Sequence, residues 1–161
     1  MARRATSPTR AVERVPPGDL VAMAQCIAID ADAFPHASAQ FGARADSARV
    51  WVARDDAGRV VAFLAGRVWR RELLHVEGLA VVAEARRRGL ARLLVRAALE
   101  GARADGLRSV GLHVSVTNAG AVALYESEGF GVARRLRDYY GPHVYGGERA
   151  ALEMRFDLPG A

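Results

Sequence analysis

Arg86, Arg87 and Arg88 stand in succession ahead of Gly89, Leu90 and Ala91, where one hydrophobic period gives way to another. Residues 73–82 read as a strand. Past the arginines, Leu90, Leu93, Leu94, Ala97 and Ala98 recur at helical spacing, with Arg92, Arg96, Glu100 and Arg103 on the opposite face. A strand, a basic glycine turn and a helix in that order make an anion site. The first helical turn leaves main-chain N–H groups without internal partners at the positive end of the macrodipole, so a diphosphate can accept several hydrogen bonds there. Gly89 lets the backbone approach such a ligand, and the small Ala91 keeps the wall open.

Two common phosphate loops are excluded. The turn has a single glycine where a GxGxxG fingerprint needs three, and a loop ending in a phosphate-binding lysine cannot occur in a chain without lysine. Other reactive residue types are few. His75 and Glu77 lie two apart on the 73–82 strand and therefore share a face. His113 sits on a second strand, over 109–116. The four histidines, His36, His75, His113 and His143, lack metal-ligand spacing. The single cysteine, Cys26, precludes an intramolecular disulfide and is expected in the core.

These groups must be positioned by one domain. The chain has 161 residues, 51% of them hydrophobic, which suits a single core. Residues 1–10 are polar and charged and read as a flexible tail before a domain over 11–158. No apolar run is long enough to cross a bilayer and no secretory h-region opens the chain, so a soluble, cytoplasmic protein is expected. The net charge of +5 comes from arginines scattered along the whole chain, a pattern of composition bias more than of nucleic-acid binding.

The remaining elements follow from local signals. Residues 11–15 form a weak strand ended by Pro16, Pro17 and Gly18. Asp19 can then cap a helix with apolar positions Leu20, Met23, Ala24, Ile27 and Ala28, broken at Phe34 and Pro35. A short helical piece is expected over 38–43. Strands over 50–53 and 60–68 flank a turn at Asp56, Ala57 and Gly58. Val110, Leu112, Val114 and Val116 share a face of the 109–116 strand, and Asn118 opens a helix that Gly129 closes. Strands near 132–139 and 149–157 complete a mixed α/β fold with helices on both faces of the sheet.

The turn Arg86, Arg87, Arg88, Gly89, Leu90, Ala91 resembles the (Q/R)xxGx(G/A) acyl-CoA pyrophosphate loop of the GNAT acetyltransferase superfamily. Its flanks resemble the same family. Leu79, Ala80 and Val81 match the strand that splays from its neighbour and pairs its main chain with the pantetheine arm. Leu112, Val114, Asn118, Ala121, Leu124, Tyr125, Glu126, Gly129 and Phe130 match an LxVxxxNxxAxxLYExxGF pattern, and Ala151, Leu152, Glu153 and Met154 resemble the family's last strand. Ala33, Phe34 and Pro35, with Phe41 following, and the run Asp138, Tyr139, Tyr140 are similar to the acceptor loops of RimI-like protein N-terminal acetyltransferases.

The resemblance implies a mostly antiparallel sheet of about six or seven strands, splayed between its fourth and fifth. It also implies acetyl-CoA as co-substrate, no metal, and direct transfer to a primary amine, most of all a protein or peptide α-amine. Leu79, Ala80, Val81, Arg86, Arg87, Arg88, Gly89, Leu90, Ala91, Arg92, Asn118 and Tyr125 would hold acetyl-CoA; Phe34, Pro35, Tyr139 and Tyr140 would meet the acceptor. His113 occupies the position of the RimI-like glutamate base, where some eukaryotic relatives carry histidine. His75 occupies that of the histone-type glutamate, with Glu77 beside it. Tyr125 matches the tyrosine that serves the leaving thiolate as general acid. Each also has a structural reading: Asn118 as a helix cap, Tyr125 and Phe34 as core, the histidines and Glu77 as bonding within the sheet. Acetylation of a small amine, a non-catalytic CoA-binding module, and arginine-mediated nucleic-acid binding remain as alternatives, and a monomer and a homodimer fit equally.

Overall fold

The computed structural model describes residues 11–35 and 48–160. The expected tail over 1–10 and the helical piece over 38–43, with His36 and Phe41, lie outside the described residues. In chain order the elements are β1 (Val12–Arg14), α1 (Leu20–Ala33), β2 (Arg49–Arg54), β3 (Val60–Trp69), β4 (Leu73–Val81), a single 3-10 turn (Ala83–Ala85), α2 (Leu90–Ala104), β5 (Ser109–Ser115), α3 (Ala119–Ser127), β6 (Gly131–Leu136) and β7 (Ala151–Asp157). The strands form one seven-stranded sheet in the order β1-β2-β3-β4-β5-β7-β6. Every neighbouring pair is antiparallel except β4 and β5.

Alternation along the strands divides the core between the two faces. Trp51, Ala53, Ala62, Leu64, Leu74 and Val76 pack beneath α2 with Leu94, Val95 and Ala98. Val50, Val52, Phe63, Ala65 and Ala80 pack beneath α1 with Ala22 and Cys26. Asp19 caps α1, its Oδ1 accepting the Ala22 N–H at 3.0 Å. The face α1 turns inward differs from the one its sequence suggests. Leu20 is 75% exposed, Ala24 and Ala28 are exposed, and Ala22 and Cys26 are the buried positions. Nearly every residue of this helix is small or apolar, so periodicity distinguishes its faces poorly, and close packing on the sheet selects the smaller side chains.

The parallel pair decides what the fold can do. β4 and β5 pair only from Leu73 opposite Ser109 to Val76 opposite Leu112. Both strands continue beyond that point, to Val81 and Ser115, without further pairing. The sheet is thus splayed between its fourth and fifth strands, and main-chain groups of β4 that would have joined the ladder are left facing an opening.

Candidate active site

The opening begins at a β-bulge. Between the pairs Gly66–Val76 and Ala65–Gly78 the β4 strand carries one extra residue, Glu77. A bulge re-aims a side chain, and Glu77 joins His75 on the wall of the cleft between the splayed strands. Beyond it, the Val82 N–H donates to the Val61 carbonyl at 2.9 Å. Because main-chain groups alternate sides along a strand, Val81 points the other way, into the splay. Its carbonyl accepts from Arg86 Nε at 3.0 Å, which leaves the Val81 N–H directed at the opening. Leu79, two residues back, presents its main chain on the same side.

At the far end of the splay lies the basic turn. Arg87 (φ 64°) and Gly89 (φ 78°) are both left-handed, with Arg88 between them. Gly89 is the N-cap of α2 and no side chain caps that end; the first capping hydrogen bond runs from Leu93 N–H to the Gly89 carbonyl at 3.1 Å. The preceding amides therefore stay open to an anion, flanked by exposed Arg86, Arg87 and Arg88. Arg92 is engaged elsewhere: with Arg96 it pairs with Glu128, and it also donates to Ser127 Oγ at 2.9 Å, tying α2 to the end of α3.

The cleft itself has a volume of about 530 Å³ and brings together residues far apart in sequence. His75, Glu77, Leu79, His113, Asn118, Tyr125, Phe34, Tyr139 and Tyr140 all line it. A column of rings crosses it. Trp69 stacks on His75 at 4.0 Å, His75 lies 5.0 Å from His113, His113 stacks on Tyr139 at 4.5 Å, and Tyr140 meets Tyr139 edge-on at 4.8 Å. The Tyr139 hydroxyl and His113 Nδ1 are 3.2 Å apart, and His113 Nε2 is 4.0 Å from Glu153. Asn118 caps α3, its Oδ1 accepting the Ala121 N–H at 3.1 Å.

Environment separates the titratable groups. Burial, the neighbouring His113 and the Arg67 guanidinium bring the His75 imidazole down to about 4. Burial also lowers His113, against the pull of Glu153 and with some help from Arg134. Both rings are therefore neutral near pH 7 and free to take a proton. Glu77 is less free: Arg67 grips its Oε1 through two nitrogens, and its Oε2 is buried without a hydrogen-bond partner. Burial alone pushes the Tyr125 hydroxyl up to about 12, and Tyr125 is 6% exposed.

Some expected site residues fall outside the cleft. Ala80 packs in the core under α1, and Pro35 is exposed beyond the cleft wall. Sequence reasoning also passed over residues that line it, notably Asp30, Arg67, Trp69 and Tyr145. Only the bulge and the tertiary packing place Arg67 and Asp30 there. Trp69, an aromatic at the end of a strand before an Arg-Arg turn, was the one visible signal. Among the described residues no cluster of His, Cys, Asp or Glu could hold a metal ion.

The sheet opened at its parallel pair, with the uncapped start of α2 beyond it, agrees with the fold that the resemblance implied. The Acetyltransferase (GNAT) family matches residues 18–130, and the chain belongs to it. Over 74 residues it is 39% identical to the ribosomal protein bS18-alanine N-acetyltransferase of Salmonella typhimurium, a match covering 46% of this chain and 49% of that protein. The solved Escherichia coli ribosomal-protein-S18-alanine N-acetyltransferase superposes with a TM-score of 0.78 at 25% identity, over 94% of this chain and 95% of that one. Arabidopsis thaliana NAA60, solved with a bisubstrate analogue, has the same fold: TM-score 0.77 at 21% identity, over 94% of this chain and 100% of that one.

Proposed function

We propose that the chain transfers an acetyl group from acetyl-CoA to the α-amine of a protein or peptide N-terminus, within a ternary complex. The observation that carries this reading is the end of β4–β5 pairing at Val76 and Leu112, which leaves an open main-chain edge of β4 in the stretch between the His113 cleft and the uncapped start of α2. The α2 amides with Arg86, Arg87 and Arg88 take the diphosphate. The outward main chain of Leu79 and Val81 pairs with the pantetheine arm, and Asn118 borders it. Similarity to the two S18-alanine N-acetyltransferases, and the framing of the cleft by Phe34, Tyr139 and Tyr140, favour an N-terminal α-amine. A cytoplasmic location accompanies that assignment.

The chemistry divides among the chain's own groups. As the amine nitrogen bonds to the thioester carbonyl carbon its proton becomes acidic, and neutral His113 accepts it, with His75 5.0 Å away as the second acceptor. The Val81 N–H supports the developing oxyanion. When the carbon–sulfur bond breaks the thiolate departs beside Tyr125. A phenol held at about 12 would give its proton to a thiol of ordinary pKa near 8.5 only at a cost of roughly 5 kcal/mol. Tyr125 therefore keeps its proton and stabilises the thiolate by hydrogen bonding, which refines the general-acid role expected from sequence.

Steady-state release of CoA thiol with peptides beginning Ser, Ala or Met, compared with small amines such as polyamines, tests the acceptor. Peptide turnover well above the small amines is expected. Robust small-amine turnover with peptides at background would remove the N-terminal acceptor while leaving the acetyl transfer in place.

A further inference from the structure

Among the described residues only Arg70 (φ 50°), Arg71 (φ 62°) and Arg87 are left-handed without being glycine. Arg87 belongs to the anion-binding turn. The other two form the central positions of the β3–β4 hairpin turn, closed by Glu72 N–H donating to the Trp69 carbonyl at 3.1 Å. Left-handed φ at both central positions defines a type I′ turn, which Asn-Gly fills with far less strain than two arginines. Both arginines are exposed, and neither has a hydrogen-bond or ion-pair partner among the described residues. The one carboxylate of the turn, Glu72, already faces Arg108 at 3.8 Å. Strain kept at an exposed, unpaired, doubly charged tip points to a use for those charges.

The tip lies on the acceptor side. β4 runs from Leu73 at the turn to Val81 at the diphosphate end, roughly 26 Å apart at the rise of a strand, so Arg70 and Arg71 cannot reach the diphosphate. His75 is only two residues, about 7 Å, from Leu73. Trp69, next to Arg70, is 44% exposed, lines the cleft and stacks on His75. Charge therefore changes along the cleft: Asp30 and the Arg67-paired Glu77 line its interior, and two guanidinium groups without a partner among the described residues follow Trp69 at its edge.

We propose that Arg70 and Arg71 dock acidic side chains that follow the acceptor's reactive N-terminus. An extended peptide advances about 3.3 Å per residue, so a span of roughly 7 to 14 Å from the reacting amine to the arginine heads corresponds to about the third to fifth residue. This rests on the N-terminal acceptor reading above. It makes the enzyme selective for N-termini with acidic residues in that window.

The test pairs peptides that differ only by Asp and Glu against Asn and Gln at positions three to five, on the wild type and on Arg70→Asn/Arg71→Gly. The wild type should show about fivefold lower KM for the acidic peptide, the size expected of two exposed ion pairs, shrinking at high salt. The double variant should lose that ratio, keep kcat on the neutral peptide, and melt no lower than the wild type because Asn-Gly relieves the turn. Arg70→Lys/Arg71→Lys should restore most of the ratio. Equal KM values for the two peptides on the wild type would end the docking role while the N-terminal reading stands; no turnover of any peptide would end both. A double variant that loses affinity for an RNA oligomer, with the peptide ratio at one throughout, would assign the tip to nucleic acid and overturn the proposal.

Discussion

Replacing His113 with glutamine should change the shape of the pH profile as well as the rate. The productive complex needs a neutral α-amine and a neutral imidazole. An α-amine with a pKa of about 7.7 to 8.0 makes log(kcat/KM) fall with unit slope as pH drops below 8. A second unit of slope appears where the base itself protonates, because an imidazole accepts a proton only above its own pKa. Burial lowers His113, so the break from slope one to slope two belongs below the ordinary imidazole value of 6.5. His75 would place the same break near 4. A break below 6.5 inside the measured range therefore names His113, and its absence there points to His75.

The size of the loss follows from the same geometry. A positioned base contributes about 10² to 10⁴ in rate. The lower figure applies here because His75 remains 5.0 Å away and part of the amine is already neutral at pH 7.5. His113→Gln should thus lower kcat/KM about 10²-fold at pH 7.5, near 2.7 kcal/mol, and show slope one throughout the acid range. Thiol release measured from pH 4.5 to 9 at constant ionic strength gives both quantities, with calorimetric CoA affinity as the control for folding. A variant within threefold of the wild type, still breaking to slope two below pH 6.5, would refute His113 as the base.

Three further outcomes are expected. The depressed His75 imidazole takes up its proton in the unfolded chain near 6.5 but in the folded chain only near 4, so stability is lost as pH falls through that window; between pH 6.5 and 5 this is roughly 1.5 kcal/mol, or about 3 to 6 °C in melting temperature, and His75→Gln should flatten the dependence. Tyr125→Phe should lower kcat about 10- to 100-fold, in proportion to one lost hydrogen bond to a charged sulfur, with calorimetric CoA affinity unchanged. Gly101→Ala should destabilise the fold by about 1 to 3 kcal/mol, read in denaturant melts, because its Cβ would stand 2.6 Å from Trp51 Cζ2 in the core.

What the sequence disclosed and what it withheld divide along a physical line. Features set by neighbours in the chain were legible: the caps at Asp19 and Asn118, the turn at Gly58, the left-handed Gly129 that closes α3, the long face of α2, and the basic turn before it. Their signals are local hydrogen bonds and a 3.6-residue period. The inward face of α1 was not legible, because its residues differ too little in hydropathy for the sheet's choice to show. Nor was Glu77's engagement. Two-residue spacing placed it with His75, but its partner Arg67 comes from the adjacent strand, and the bulge that seats it depends on a register shift between β3 and β4. Cross-strand register sums contributions from both strands and the turn joining them, and that turn is the strained Arg70-Arg71 pair. The same turn fixes where Trp69 and His75 stack. A chain with Asn-Gly at those positions should keep the register and the ring column and lose only the charges, so that substitution separates what the turn does for folding from what its charges do at the cleft.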